Sequence, residues 1–264
     1  MSEVPQHEIV SVASRARQLG AQAHQLSRPG DAIGALEPAR QAVEQWRALA
    51  GQDSPSFLPA LARSLLNLAR YLSRAGIKEE AFSAASESVT LWRQLAAANF
   101  DRFGLELAHA LQRLGPHTDR QSHMSLYEEA TNLLVRLAAT NPVLLPEAAA
   151  AASRATEHFM GSGERKKTLE YSRLAVKLWR VLAAKDVVQF GGGLVRALRR
   201  LAVETSAGGV DDKELLREAR RIATSRIFFL VLRSLRPKAV AAAFAAAATG
   251  IALRASRSAP RRGS

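Results

Sequence analysis

The chain has 264 residues and no cysteine. Disulfides, thiolate nucleophiles and cysteine-ligated zinc are therefore excluded. Aromatic residues make up only 6% of it. Ala and Leu dominate instead, and both form helices well and strands poorly, so the composition favours packed helices. The opening MSEVPQHEIV has no basic start leading into an apolar run, so it does not read as a secretory signal. With the missing cysteines, it makes a reducing cytoplasm the expected compartment.

The usual marks of catalysis are also missing. No Gly-x-Ser-x-Gly elbow occurs. The stretches from Gly161 to Lys167 and from Gly191 to Gly193 are rich in glycine. Neither has Gly-Lys-Ser/Thr at phosphate-loop spacing, and neither follows a strand pattern. The first reads as a turn between two helices, the second as a loop before a helix. The six histidines are His7, His24, His109, His117, His123 and His158. None stands four residues from another with a partnering carboxylate, and His117 and His123 straddling Asp119 is too little for a metal site. Glu79/Glu80 and Glu128/Glu129 fall at expected helix starts, where the helix dipole accounts for them. The reading is a protein that is not an enzyme, with no catalytic residue, metal site or cofactor.

Two features are abundant. Hydrophobic residues reach 47%, enough for a sizeable core. Positive charge reaches a net +13 and is unevenly placed. Residues 1–150 carry 14 Lys+Arg against 15 Asp+Glu, whereas residues 151–264 carry 23 against 9. Such a basic C-terminal part points to an acidic partner, anionic lipid or nucleic acid, or else to a solvated basic tail.

An internal repeat organises most of the chain. Val43-Glu-Gln-Trp46-Arg47-Ala-Leu49-Ala50 returns as Val89-Thr-Leu-Trp92-Arg93-Gln-Leu95-Ala96, then as Val176-Lys-Leu-Trp179-Arg180-Val-Leu182-Ala183. A degenerate copy puts Leu134 in the Trp place, giving spacings of 46, 42 and 45 residues. A large apolar residue follows each phrase at a fixed distance: Phe57, Phe103, Leu145 and Phe190. A second apolar run comes next. Leu61, Leu65, Leu68 and Leu72 repeat along one helical face, as do Leu194, Leu198 and Leu201. Gly30, Gly76, Gly163 and Gly209 close most of these runs, as suits a helix C-terminus in the left-handed conformation. The unit is helix A, glycine turn, helix B and loop.

This pattern resembles the tetratricopeptide repeat (TPR). Leu65, Leu68, Ala69 and Leu72 fill its large, large, small and large places on helix A of the second unit. Ala81, Ala85 and Ser88 fill its small places on helix B, and small residues let the two helices approach closely. These repeats exceed the common length of about 34 residues. The extra length follows the last small position of helix B and reads as a longer second helix plus a longer loop. This is the long-repeat variant, of about 42–46 residues. The third unit lacks a turn glycine at Gly115-Pro116-His117-Thr118, and its helix A should be short.

The predicted architecture is all-α: a right-handed α-solenoid of about five TPR-like antiparallel helix pairs plus a C-terminal capping helix. Residues 1–9 form a flexible N-terminus, 10–225 the repeat array, 226–254 apolar and basic helices capping the solenoid, and 255–264 a disordered basic tail. Trp46, Trp92 and Trp179, with Phe57, Phe103, Phe190, Leu65 and Leu68, are predicted core anchors, since equivalent large residues fill equivalent gaps between stacked repeats.

The resemblance implies a protein-interaction scaffold that grips a peptide or partner helix on a concave face lined by A helices. The exposed A-helix places belong to Arg63, Leu66, Asn67 and Arg70 in the second unit, and to Arg196, Arg199, Arg200 and Val203 in the fifth. Asn67, Arg196 and Arg200 match residue types that grip a peptide carboxylate in similar proteins, but they lie in distant units. The alternative is an adaptor meeting an anionic membrane, or less readily nucleic acid, through the basic C-terminal end. Residues 239–253 are too few to span a bilayer, which takes about 20 apolar residues.

Overall fold

The structure is a computed structural model that describes residues 6–28, 31–52, 54–207 and 212–234. Ten α-helices occur among the described residues, and no strand. They are α1 (Gln6–Ser27), α2 (Leu36–Gln52), α3 (Ser54–Arg74), α4 (Lys78–Ala98) and α5 (Phe100–Leu114). After them come α6 (Arg120–Thr140), α7 (Leu145–Met160), α8 (Arg165–Lys185), α9 (Val187–Ser206) and α10 (Lys213–Ser234). The fold class is that of the all-α helix-pair solenoids. The expected capping helix at 238–254 and the tail at 255–264 lie outside the described residues, as do Gly30 and Gly209.

The chain divides into two compact units, Met1–Tyr171 and Ser172–Ser264, with the boundary inside α8. In the first, each helix from α1 to α7 packs on the next, and α3 also meets α5. In the second, α9 packs on α10. The small residues explain the close packing. Ala81, Ala85 and Ser88 are fully or almost fully buried on α4, as are Ala152, Ala155 and Thr156 on α7. Ser88 donates its hydroxyl to the Ala62 carbonyl at 2.8 Å, which satisfies a buried polar atom across the α3–α4 contact.

The turns within the helix pairs follow the glycine rule. Gly76 and Gly163 hold φ of +79° and +80°, a conformation that costs a side chain its Cβ clearance. The third pair turns differently. Gly115 is right-handed at the end of α5, and a 3-10 turn over Gly115–His117 leads to α6. A Cβ on Gly115 would stand 2.9 Å from the Tyr127 ring, so this glycine serves the close approach of Tyr127 rather than a left-handed turn. Helix α5 has 15 residues, against 21 for α3.

The expected longer loop between pairs is not there. The added length is helix: α4, α6 and α8 each run 21 residues. A single residue joins α4 to α5 and α8 to α9. These joints are Asn99 and Asp186, each in extended backbone, with φ of −151° and −149°. Asn99 donates its N–H to the Leu95 carbonyl and accepts from the Arg102 N–H at 3.1 Å. Asp186 does the same with Leu182 and Gln189. Asn141 donates to Leu137 and accepts from Val143 N–H at the joint after α6. One residue thus serves both ends of the joint, its backbone N–H closing the helix before it and its side chain capping the turn after it, which leaves no need for a loop.

A second correction concerns Gly191–Gly193. This stretch lies inside α9, within its first two turns, and is not a loop. The glycines are a contact surface: a Cβ on Gly191 would press on Val187 and Ile222, and one on Gly193 on the Trp179 ring.

Candidate partner-binding face

The repeated phrase does two jobs. Its Trp reaches the aromatic residue that opens the next helix. Ring centroids are 6.1 Å apart for Trp46–Phe57, 6.1 Å for Trp92–Phe103 and 6.5 Å for Trp179–Phe190. The tilted geometries suit aromatic pairs. Trp46 and Trp92 are buried, Trp179 is half-buried, and Phe57, Phe103 and Phe190 are half-buried. Leu65 and Leu68 are buried, and Leu134 is fully buried in the Trp place of the third unit.

The Arg that follows each Trp sits about 100° further round the helix and so faces outward. It pairs with a glutamate on the following second helix: Arg47–Glu87 at 2.8 Å, Arg93–Glu129 at 2.6 Å and Arg180–Glu218 at 2.6 Å. Where Trp gives way to Leu134, Arg also gives way, to Val135. The link from α6 to α8 is then reversed, as Glu128–Lys167 at 2.7 Å. The Glu128 hydrogen bond raises the Lys167 pKa, and the Glu218 hydrogen bond raises that of Arg180. This charge ladder occupies the second helices and makes a poor candidate for partner recognition, because its charges are already paired.

These pairs contribute little to stability. Arg93 is 51% exposed and Glu129 37%, so solvent screens them. A double-mutant cycle on Arg93→Ala and Glu129→Ala should give a coupling of roughly 0.2–1 kcal/mol, shrinking in high salt. Denaturant melts of the four proteins measure it. A coupling of several kcal/mol, insensitive to salt, would mean the ladder holds the stack together.

The first helices present a different surface. Arg63 and Asn67 are exposed on α3, and Leu66 and Arg70 are half-buried. Arg63 stands 3.6 Å from Glu106, a loose exposed pair. Arg70 lies over the Tyr71 ring, 4.9 Å from its centroid, and donates from Nη2 to Tyr71 Oη at 3.0 Å. Leu66, Asn67 and Arg70 face His109, Gln112 and Arg113 of α5 across a cleft of about 410 Å³, closed on one side by Tyr127 of α6. His109 Nε2 meets Glu147 at 2.5 Å, which ties α5 to α7 beside the cleft. A second cavity of about 260 Å³ shares Arg70, Gln112, Arg113 and Tyr127 and adds Arg74 and His117.

The α5 contribution was missed in the sequence, although the repeat carries its signal. His109, Gln112 and Arg113 stand 46 residues after Arg63, Leu66 and Asn67, which is the repeat step between Trp46 and Trp92. Tyr127 had no such signal. It comes from a second helix and reaches the cleft through the space that Gly115 leaves. Tyr127 also stacks on His123 and packs against His158, with centroids 4.8 and 4.3 Å away. Burial, and then the neighbouring His123, lowers the His158 pKa.

In the second unit, Arg196, Arg199, Arg200 and Val203 follow one face of α9. Arg196, Arg199 and Val203 are exposed, and Arg200 is half-buried and engaged in a contact. They belong to a different compact unit from Arg63, Leu66, Asn67 and Arg70. Asp119, between His117 and His123, caps α6, accepting from Gln121 and Ser122 N–H; its Ser122 hydrogen bonds lower its pKa. No cluster of metal-ligating side chains occurs among the described residues, nor any helix long and apolar enough to cross a membrane.

No protein-family profile matches the chain, and no curated protein matches it. Solved structures do. BtubC (BKLC) from P. vanneervenii is similar with a TM-score of 0.60 at 16% identity, over 88% of this chain and 86% of that one. The nearly identical TPR-like repeats of a kinesin light chain protein from Podosopora anserina give 0.54 at 21% identity, over 81% and 97%. At such identities the likeness shows the fold alone, helix pairs arranged as in TPR-like repeats.

Proposed function

We propose that the chain is a protein-interaction scaffold, which takes up an extended peptide or a partner helix along the face of its first helices. A fold alone does not carry a function, so the reading rests on the site. The observation behind it is the α3–α5 cleft. An apolar side chain (Leu66), amides (Asn67, Gln112) and guanidinium groups (Arg70, Arg113) converge there. Mixed apolar and donor chemistry in a groove between two helices suits a chain that offers both side chains and carbonyls. On the second helices, by contrast, Arg40, Arg47 and Arg93 are each paired with a glutamate. Cytoplasmic residence fits this reading, and the basic Arg196/Arg199/Arg200 face of α9 would serve as a separate contact in the second unit.

The test is proximity labelling in cells, comparing wild type with Leu66→Glu and with Arg93→Gln. Leu66→Glu should lose its specifically labelled neighbours by roughly tenfold or more, the scale of a binding hot spot. Arg93→Gln, on the ladder, should keep them. Equal loss in both variants, or in neither, removes the cleft as the binding face.

A further inference from the structure

Three guanidinium groups gather at the C-terminal ends of α3 and α5 without a carboxylate. Arg70, Arg74 and Arg113 line the smaller cavity together. No ion pair is formed by any of the three among the described residues, whereas neighbouring arginines such as Arg63, Arg47 and Arg93 each have a glutamate. Like charges held together are costly unless something offsets them. Burial, and after it the charges of Arg70 and Arg74, lowers the Arg113 pKa. Two N–H donors among these lining residues are also idle. Arg70 Nε and Gln112 Nε2 are buried and have no hydrogen-bond acceptor, an uncommon state for buried polar atoms. Three guanidinium groups with no carboxylate among the residues lining their shared cavity describe the complement of an oxyanion.

We propose that this cavity binds the phosphoryl group of a phosphorylated peptide segment whose chain continues along the Leu66–Asn67 part of the cleft. The proposal rests on the groove reading above and names the partner's chemistry. The argument for phosphoryl over carboxylate is charge and valence. A carboxylate brings one negative charge to three guanidinium groups. A phosphomonoester brings about −1.5 to −2 and three acceptor oxygens, which matches several forked donors at once. The argument for a peptide is continuity. The two cavities share Arg70, Gln112, Arg113 and Tyr127, so a group held in one is one residue's reach from the apolar and amide contacts of the other.

The experiment uses the full chain immobilised at about 0.15 M salt, where exposed charges beyond a Debye length are screened. Two peptide pools are passed over it: a degenerate pool centred on phosphoserine, and its serine twin. The phosphoserine pool should be retained roughly tenfold or more above the serine pool, and inorganic phosphate should displace it where acetate at equal ionic strength does not. Arg113→Gln and Arg74→Gln should each cut retention roughly tenfold. Arg93→Gln removes the same charge from the ladder and should leave retention unchanged. Matching melting curves establish that the variants are folded, and Arg113→Lys provides a milder change should Arg113→Gln fail to fold.

Equal retention of both pools overturns the phosphoryl assignment while leaving the groove reading intact. Retention of neither pool also overturns it, and the labelling experiment on Leu66→Glu then decides the groove reading independently. Vesicles of phosphatidylcholine with a minority of phosphatidylinositol phosphate form the third arm. If they bind through Arg113 and the phosphopeptides do not, the anion comes from a membrane and the proposal is wrong.

Discussion

Replacing Trp92 with Ala should destabilise the first compact unit by about 3–5 kcal/mol, the range for a large aromatic removed from a packed interior. Trp92 is only 1% exposed and lies between its own helix and Phe103 on the next. The side chain therefore serves the contact between one pair and the following one, and its loss leaves a cavity that a stack of rigid helices cannot easily collapse. Its Nε1 adds a finer expectation. That N–H is buried without an acceptor. Trp92→Phe removes the unmatched donor along with some volume, so it should cost well under half of what Trp92→Ala costs. Equilibrium unfolding in urea, with hydrogen exchange read in α4 and α5, measures both. If Trp92→Ala melts within about a degree of wild type, the large residues of the repeated phrase do not anchor the stack, since a loss of 1 kcal/mol alone moves a melting temperature by about 2–4 °C.

In the second unit the sharpest expectation falls on Gly193. Inside a helix, Gly→Ala by itself gains about 1 kcal/mol. Here a Cβ would lie 2.6–2.7 Å from three atoms of the Trp179 indole. No real Cβ sits that close, so the ring or α9 must shift. Overpacking of this kind costs about 1–3 kcal/mol and outweighs the propensity gain. Gly193→Ala should therefore destabilise, and Gly193→Val should do so more. Gly192→Ala is the control on the same helix. Its nearest neighbours are the Arg226 guanidinium atoms at 3.4 Å, at the end of a flexible chain. That variant should be neutral or mildly stabilising. Adding Trp179→Leu to Gly193→Ala should recover part of the loss, because leucine serves in the equivalent place at Leu134. Thermal melts of the four variants beside wild type decide the matter. Equal behaviour of Gly192→Ala and Gly193→Ala would mean Trp179 does not rest on α9 as described.

The phrase around Trp46, Trp92 and Trp179 is legible because a helix pair cannot bury its apolar face alone. Each repeat must offer its neighbour the same kind of side chain, so the requirement is printed in the chain at a near-constant interval. The same logic applies to Asn99, Asn141 and Asp186. They recur at that interval and stand just before an apolar run, as N-cap residues do. Reading them as caps would have removed the expected loop. The Gly191–Gly193 stretch misled for a physical reason. Glycine usually marks backbone freedom, but in α9 it marks the absence of a side chain where an indole must fit. Gly115 is a second case, where the neighbour is Tyr127.

The candidate site divides along the same line. Arg63, Leu66, Asn67 and Arg70 were accessible from the period of α3, because outward positions on a helix follow from its inward ones. Their partners on α5 follow from the repeat step. Neither rule reveals that Arg70, Arg74 and Arg113 share one cavity without an acid.

From sequence alone came the helical class and the pairing of helices, since both depend on local periodicity and on side-chain size. Only the tertiary structure decided which arginines are matched by glutamates and which are left together. Charge pairing depends on distances between residues some 40 positions apart, as between Arg47 and Glu87, and no local pattern encodes those distances.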